Sequence, residues 1–387
     1  MRVFLQSLVG FSAALLLSTF QCVAQGPSTS FDVAQAGPRS GPTAAAAGEQ
    51  GRAAAVNNWT VGIAGGFFEG TFIRFAAELA KALDDDDNLR ILPIVSYGGN
   101  RNVHDLLYLK GVDIAITYTD SLELYKKSGQ YRDIEQRINY ISELLVGEFY
   151  VYGRPEIKRL QDLDGKKVSL GLKGSSATTT APIVFERLGV RPEFLYLSGP
   201  VAHEKMKAGE IAALASTGGK PNDLFVKLKP EPGFHFIPIE FSDKFSDYYL
   251  PCPLNHEDYP HLIPSGEKVD TLCMSAVLAV YNFPKESERY RRVERFIHYY
   301  FERFDSLKQP SFHAKWKEIN LAANVPGWTR YWVAADKLAA MPKFSAAKGP
   351  DIANRVPSDA VLPSQKAEQE ALFKEFMAWR EKQPTKR

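Results

Sequence analysis

Between residues 60 and 120 the hydrophobic pattern runs three times through one cycle: an apolar strand, a turn of small residues, an amphipathic helix. A strand over 60–64 passes through Gly65-Gly66-Phe67-Phe68-Glu69-Gly70-Thr71 into a helix over 72–83. A strand over 89–96 passes through Tyr97-Gly98-Gly99-Asn100 into a helix over 103–110. A third, over 113–117, passes through Tyr118-Thr119-Asp120 into a helix over 121–127. Strands alternating with helices predict a parallel sheet, with ligands seated beyond the carboxyl ends of its strands. Helix N-termini facing that crevice bring free N–H groups and roughly half a unit of positive charge each, which suits a small anion.

A long extended segment over 140–152 ends at Gly153-Arg154-Pro155, a crossing point, and a second αβ series begins. It contains a short helix over 160–163, a strand over 168–171, a polar loop from Lys173 to Thr180 and a helix over 181–188. Pro182 falls in the first turn of that helix, where its missing N–H is harmless, and Gly189 stops it. Strands over 194–197 and 212–216 flank a helix over 203–207, and 234–239 is a further strand. Residues 248–264 are rich in Pro and aromatic side chains. The chain returns along 269–283 and enters an amphipathic helix over 287–304, where Val293, Phe296, Ile297, Tyr300 and Phe304 recur at helical spacing. This is too much chain for one comfortable α/β unit. The predicted fold class is therefore α/β in two lobes, each a mostly parallel sheet flanked by helices, with the ligand cleft between them.

The ends of the chain read differently. Arg2, the apolar run over 3–20 and the small residues around Cys22-Val23-Ala24 predict a secretory signal peptide over 1–24 and a mature start near Gln25. Residues 25–57, rich in Gly, Pro and Ala, predict a disordered linker. Lobe I then takes 58–152, lobe II 153–264, and 265–342 returns to lobe I with a helical C-terminal part. Residues 343–387 read as a polar linker and an amphipathic helix whose Leu372, Phe376 and Trp379 dock on the protein's own surface. No stretch beyond the leader is long enough to span a bilayer, so a soluble periplasmic protein is expected. The formal charge of +2 argues against nucleic-acid binding. Cys252 and Cys273 remain after the leader; they either pair in an oxidising compartment or sit in the core as thiols.

In this order, the motifs resemble a known group. The Gly-rich first turn, Gly98-Gly99, then Lys110-Gly111-Val112-Asp113-Ile114-Ala115 are similar to the solute receptors of tripartite ATP-independent periplasmic (TRAP) transporters, specifically the TAXI family. So are Asp162-Leu163-Asp164-Gly165-Lys166-Lys167-Val168, Gly174-Ser175-Ser176-Ala177-Thr178, Lys207-Ala208-Gly209-Glu210-Ile211 and Gly218-Gly219-Lys220-Pro221. The resemblance covers about 60–307. It implies a type II-like periplasmic binding protein fold whose lobes close by a hinge on a ligand, with the long 140–152 and 269–283 segments as crossings. It also implies a membrane permease as partner. The sequence departs from the family in two places: Phe67-Phe68-Glu69 stands where very small residues are usual, and the last stretch runs past the usual end.

Within that cleft, Ser175, Ser176 and Thr178 stand at a helix N-terminus and offer N–H groups and hydroxyls to a carboxylate. Lys173 and Lys220 would add positive charge, and Thr117, Tyr118 and Thr119 supply hydroxyls from a strand end. Gly66, Phe68, Gly70 and Thr71 line the cleft from the first turn, Gly99 and Asn100 from the second, and Gly219 from the last motif. Glu69 either pairs with the ammonium of a glutamate-like ligand or faces solvent. Asp84 to Asp87 form a solvated acidic turn, and Cys252, His256, Glu257 and His261 are not taken as a metal site. The chain has no Gly-x-Ser-x-Gly elbow, His-Glu-x-x-His helix or phosphate loop, and no histidine, His104 included, sits beside a nucleophile. The expectation is a monomeric receptor for a small carboxylate (organic acid or amino acid), with no catalysis, cofactor, metal or nucleic acid, delivering ligand to a TRAP-type permease. A sensing module for a membrane kinase is the second reading, and a secreted enzyme the third.

Overall fold

The computed structural model describes residues 44–68 and 70–341. The predicted leader, the linker up to residue 43, Glu69 and the C-terminal extension from residue 342 lie outside the described residues. Helix α1 (Ala44–Asn58) occupies the end of the stretch expected to be a disordered linker. Its seven alanines favour helix enough to outweigh Gly48 and Gly51. All elements from β1 onward belong to one compact unit that begins at Gln50.

The three strand–turn–helix cycles form in order: β1 (Thr60–Gly66) and α2 (Thr71–Leu83), β2 (Arg90–Val95) and α3 (Gly99–Tyr108), β3 (Ile114–Tyr118) and α4 (Thr119–Ser128). β1 pairs in parallel with both β2 and β3. A short helix, α5 (Ile134–Arg137), precedes β4 (Ile138–Gly153). The second series follows as β5 (Lys167–Ser169), α6 (Ala177–Leu188), β6 (Glu193–Leu195), α7 (Gly199–Lys207) and β7 (Ala213–Gly218). Then come α8 (Asp223–Val226), β8 (His235–Phe236), β9 (Leu250–Asn255), β10 (Lys268–Tyr281), α9 (Glu288–Glu302) and α10 (Trp332–Ala340).

One ten-stranded sheet results, in the order β2-β1-β3-β10-β4-β7-β5-β6, with β8 added to β4 and β9 to β10. β4 and β10 are the two crossings the sequence predicts. They run antiparallel from Ile138 opposite Tyr281 to Glu148 opposite Cys273. Beyond that point β4 continues alone onto β7, from Glu148 opposite Gly218 to Gly153 opposite Ala213. The first half of β4 therefore completes lobe I and the second half completes lobe II. β10 shifts register against β4 at Val277, opposite Glu143 and within lobe I. Core packing follows the periodicity. α2 buries Phe72, Phe75, Leu79 and Leu83, and α9 buries Val293, Phe296, Ile297 and Tyr300.

Three local expectations change. α6 begins at Ala177, so Pro182 lies inside the helix and not in its first turn. Hydroxyl back-bonds from Thr178 to Ser175 O (2.6 Å) and Thr180 to Ser176 O (3.3 Å) extend the helix into the polar loop. The Pro-rich segment contains a strand, β9, with Pro251 and Pro253 on a sheet edge where a missing N–H is tolerated. The strand predicted over 234–239 shrinks to the two residues of β8. No helix among the described residues is long and apolar enough to cross a membrane.

Candidate functional site

The strand ends of both lobes open on one cavity of about 320 Å³. Helices α2, α6 and α7 start at its wall from small residues, and the N-cap residues of α3, α4 and α8 (Gly98, Tyr118 and Asn222) line it too. β1 ends at Gly66, and the turn reaches α2 through Gly70, an extended N-cap whose lack of a side chain leaves the first helical N–H groups uncapped. α6 starts from Ser176 and α7 from Ser198, and neither serine makes a capping hydrogen bond. Gly70 and Thr71, Ser176 and Ala177, and Ser198 to Pro200 all line the cavity. Donors that most helices cap for themselves thus converge on one shared space from helices of both lobes.

The lobes touch around this space. Gly98, at φ +113°, passes so close to the second lobe that a Cβ there would lie 2.7 Å from Gly174 O. Asn100 donates through Nδ2 to Thr179 Oγ1, and Gly219 N donates to Thr71 Oγ1 at 3.2 Å. Asp120, fully buried at the start of α4, accepts from Thr180 Oγ1 at 2.6 Å and from Tyr249 at 3.3 Å. Burial pushes its carboxyl above the usual range, against the pull of those hydroxyls.

Seven of the sequence-predicted residues line the cavity: Gly66, Phe68, Gly70, Thr71, Tyr118, Ser175 and Ser176. Tyr118 is wholly buried, fits over Gly147, where a Cβ would meet its hydroxyl at 2.1 Å, and has no hydrogen-bond partner there. Others stand behind the wall as supports. Thr117 Oγ1 donates to Gly99 O at 3.1 Å, Thr119 is buried in the first turn of α4, and Thr178 Oγ1 is turned to Ser175 O. Asn100 and Gly219 join the lobes by the bonds given above. The two lysines depart from expectation. Lys173 is exposed, its ammonium over the Tyr196 ring at 5.7 Å. Lys220 turns its ammonium to Asp258 (3.1 Å) and Pro253 O (2.8 Å), because its backbone is fixed by Glu148. Glu69 lies outside the described residues.

Sequence reading missed Ser169, Ser198 to Pro200, Ser216, Thr217 and Asn222, all of which line the cavity. Ser198-Gly199-Pro200 carries a legible helix-start signature, a serine with proline at the second helical position. β7 ends in Ser216-Thr217-Gly218, the same strand-end position that Thr117 to Thr119 occupy in lobe I.

Behind the cavity lies a knot of buried charge. Lys315 Nζ meets Glu148 Oε1 at 2.6 Å, with the two side chains 3% and 2% exposed. Glu148 Oε2 also accepts the Lys220 N–H at 2.8 Å, at the residue where β4 leaves β10 for β7. Burial pushes the Glu148 carboxyl up, against the pull of Lys315. Glu78 accepts from Trp316 Nε1 (2.6 Å) and from His313 N (3.0 Å). His313, which accepts the Lys315 N–H at 3.2 Å, is held by burial at a pKa of about 4. Elsewhere, Cys252 and Cys273 form a disulfide between β9 and β10. The ring nitrogens of His256 and His261 bond to Ile263 O and Phe225 O, and His104 lies against Asp105.

Residues 63–327 match the model of the NMT1-like family. Among solved structures, the chain is similar to a Xanthomonas citri protein bound to ATP, at 10% identity over 73% of this chain and 98% of that one, with a TM-score of 0.40. It is similar to the VFT2 domain of Bordetella pertussis BvgS at 13% identity, covering 66% and 93%, with a TM-score of 0.36. It is also similar to the effector-binding domain of a BenM variant at 15% identity, covering 63% and 95%, with a TM-score of 0.37.

Proposed function

The chain belongs to the NMT1-like family, which spans residues 63–327, and on that footing we propose that it is an extracytoplasmic solute receptor. It holds a small carboxylate, an organic acid or an amino acid, between its lobes. The observation that carries this is the convergence of uncapped helix N-termini from both lobes, those of α2, α6 and α7 among them, on one cavity. Such an arrangement binds an anion without transforming it: the cavity offers hydroxyls, an amide and backbone N–H groups, and no base beside a nucleophile among its described residues. The narrower assignment, to the TAXI receptors of TRAP transporters with a multi-spanning permease as partner, is supported by the order of motifs from the first glycine turn to Gly218-Gly219-Lys220-Pro221. The receptor works as a monomer outside the cytoplasmic membrane, reached through the predicted leader.

A thermal-shift screen of organic acids and amino acids on the secreted protein tests the reading. A ligand at ~100 times its dissociation constant adds about 2.7 kcal/mol to stability. A carboxylate that raises the melting point and is recovered unchanged supports the proposal. Consumption of a substrate without any carboxylate-induced shift would refute it.

A further inference from the structure

The cavity wall carries no charged side chain among the described residues. Its accessible apolar side chains are Phe67, Phe68, Leu172, Leu197 and Leu224, and its polar groups are hydroxyls and one amide. The lysines that the fold brings toward this region are engaged elsewhere: Lys220 with Asp258, Lys315 with Glu148, and Lys173 over the Tyr196 ring. An entering anion therefore meets positive potential from helix N-termini: those of α2, α6 and α7, with those of α3 and α4 behind Gly98 and Tyr118.

That distribution selects among carboxylates. One carboxylate is well served by the three helix ends, whose partial charges sum to more than one unit. A second carboxylate would be pressed against leucine, where an unpaired charge is strongly unfavourable. An ammonium needs an acidic partner; none of the described lining residues is acidic, and Glu69, between the lining residues Phe68 and Gly70, lies outside the described residues. A polyol needs hydrogen bonds along its whole length, which a leucine wall does not give. At about 320 Å³ the space is at the small end of the ~300–1,000 Å³ usual for ligand pockets, too small for a long acyl chain.

We propose, resting on the receptor reading above, that the ligand is a monocarboxylate with a compact apolar body, an aromatic or branched aliphatic acid. Its carboxylate sits on the N-termini of α2, α6 and α7, and its body lies against the leucine wall. The wall then sets specificity and the helix ends supply the charge.

Calorimetric titration of the full mature chain with benzoate, isovalerate, acetate, succinate and glutamate tests this. Benzoate or isovalerate should bind about 100-fold more tightly than succinate and glutamate. Leu172→Ala, at a partly exposed wall position where folding is safe, should weaken benzoate or isovalerate about tenfold and leave acetate unchanged. Succinate or glutamate binding as tightly as the apolar acids would overturn the inference and leave the carboxylate-receptor reading standing. Unchanged affinity of the apolar acids in a folded Leu172→Ala variant would overturn it in the same way. Binding of none of the five would overturn both.

Discussion

The cavity and the knot behind it are joined by a single step of chain, from Gly218 to Lys220, yet they solve the problem of buried charge in opposite ways. Gly218 lines the cavity; Lys220, two residues later, is tied by its backbone to Glu148 and by its ammonium to Asp258. The described side chains of the cavity are neutral, and its positive potential comes from helix ends, which are fixed dipoles that need no counter-ion. Behind it, full charges are paired: Glu148 with the buried Lys315, and Glu78 with Arg74 while it also accepts from the indole and backbone of the His313 to Trp316 turn. The difference teaches where a receptor can hold ions. A lysine in the cleft would bind an anion more strongly, but it would also need an anion at all times, whereas a helix N-terminus tolerates an empty site. Ion pairs are suited to the point where β4 changes partners, because neither member leaves.

If the knot is structural, breaking it gives the largest effect. Lys315→Met leaves Glu148 buried and unpaired and should cost about 3–5 kcal/mol of stability by urea denaturation. Adding Glu148→Gln, which still accepts the Lys220 N–H, should recover at least half of that loss. A single variant as stable as the parent would remove the knot from the account.

The same region should be sensitive to acid. His313 has its pKa lowered from 6.5 to about 4, so between those values the unfolded chain binds a proton that the folded chain does not. Stability contributed by neutral His313 is complete above pH 6.5 and is lost as the pH falls toward 4, a loss of about 3 kcal/mol. His313→Asn keeps a side-chain acceptor for the Lys315 N–H and should flatten that slope in urea titrations across the window. Equal slopes in the two proteins would place the acid sensitivity elsewhere.

On the cavity side, Ser176→Pro is the matching test. Ser176 sits at φ −59°, which proline adopts, so the change removes an N–H at the start of α6 with little backbone strain. Ligand affinity should fall about tenfold while stability holds. The smallest effects belong to the lysines. Lys220→Met should lower stability while changing affinity less than about twofold, and Lys173→Ala should change neither, since exposed charges contribute little. A large affinity loss from either would show that the cavity relies on side-chain charge and would erase the contrast.

The frame of this contrast is legible in the sequence, and the side-chain commitments are not. Three strand–turn–helix cycles announce lobe I because their periodicity is local, and the two long crossings show as long, mostly apolar runs. Gly66, Gly70, Ser175 and Ser176 are found because helix starts at strand ends have a composition of their own. Lys173 and Lys220 look like cleft cations because proximity in sequence says nothing about where a long flexible side chain finds its partner. The partners that claim Lys220, Glu148 and Asp258, are 72 and 38 positions away along the chain. Lys315, Glu78 and His313 carry no local pattern at all; only the packing of the 313–318 turn against α2 and β4 joins them. α1 is a different kind of miss, a helix of alanines hidden in a segment whose glycines and prolines suggest a linker.

The central claim is that the ligand's charge is held by helix ends and not by lysine, and the crystal structure of the protein with a bound carboxylate tests it most directly. The account predicts carboxylate oxygens within about 3.2 Å of backbone N–H groups at Thr71, Ser176, Ala177 or Gly199, with Lys220 still on Asp258 and Lys173 still outside the cavity. A carboxylate paired with either lysine, with the helix starts left vacant, would contradict it.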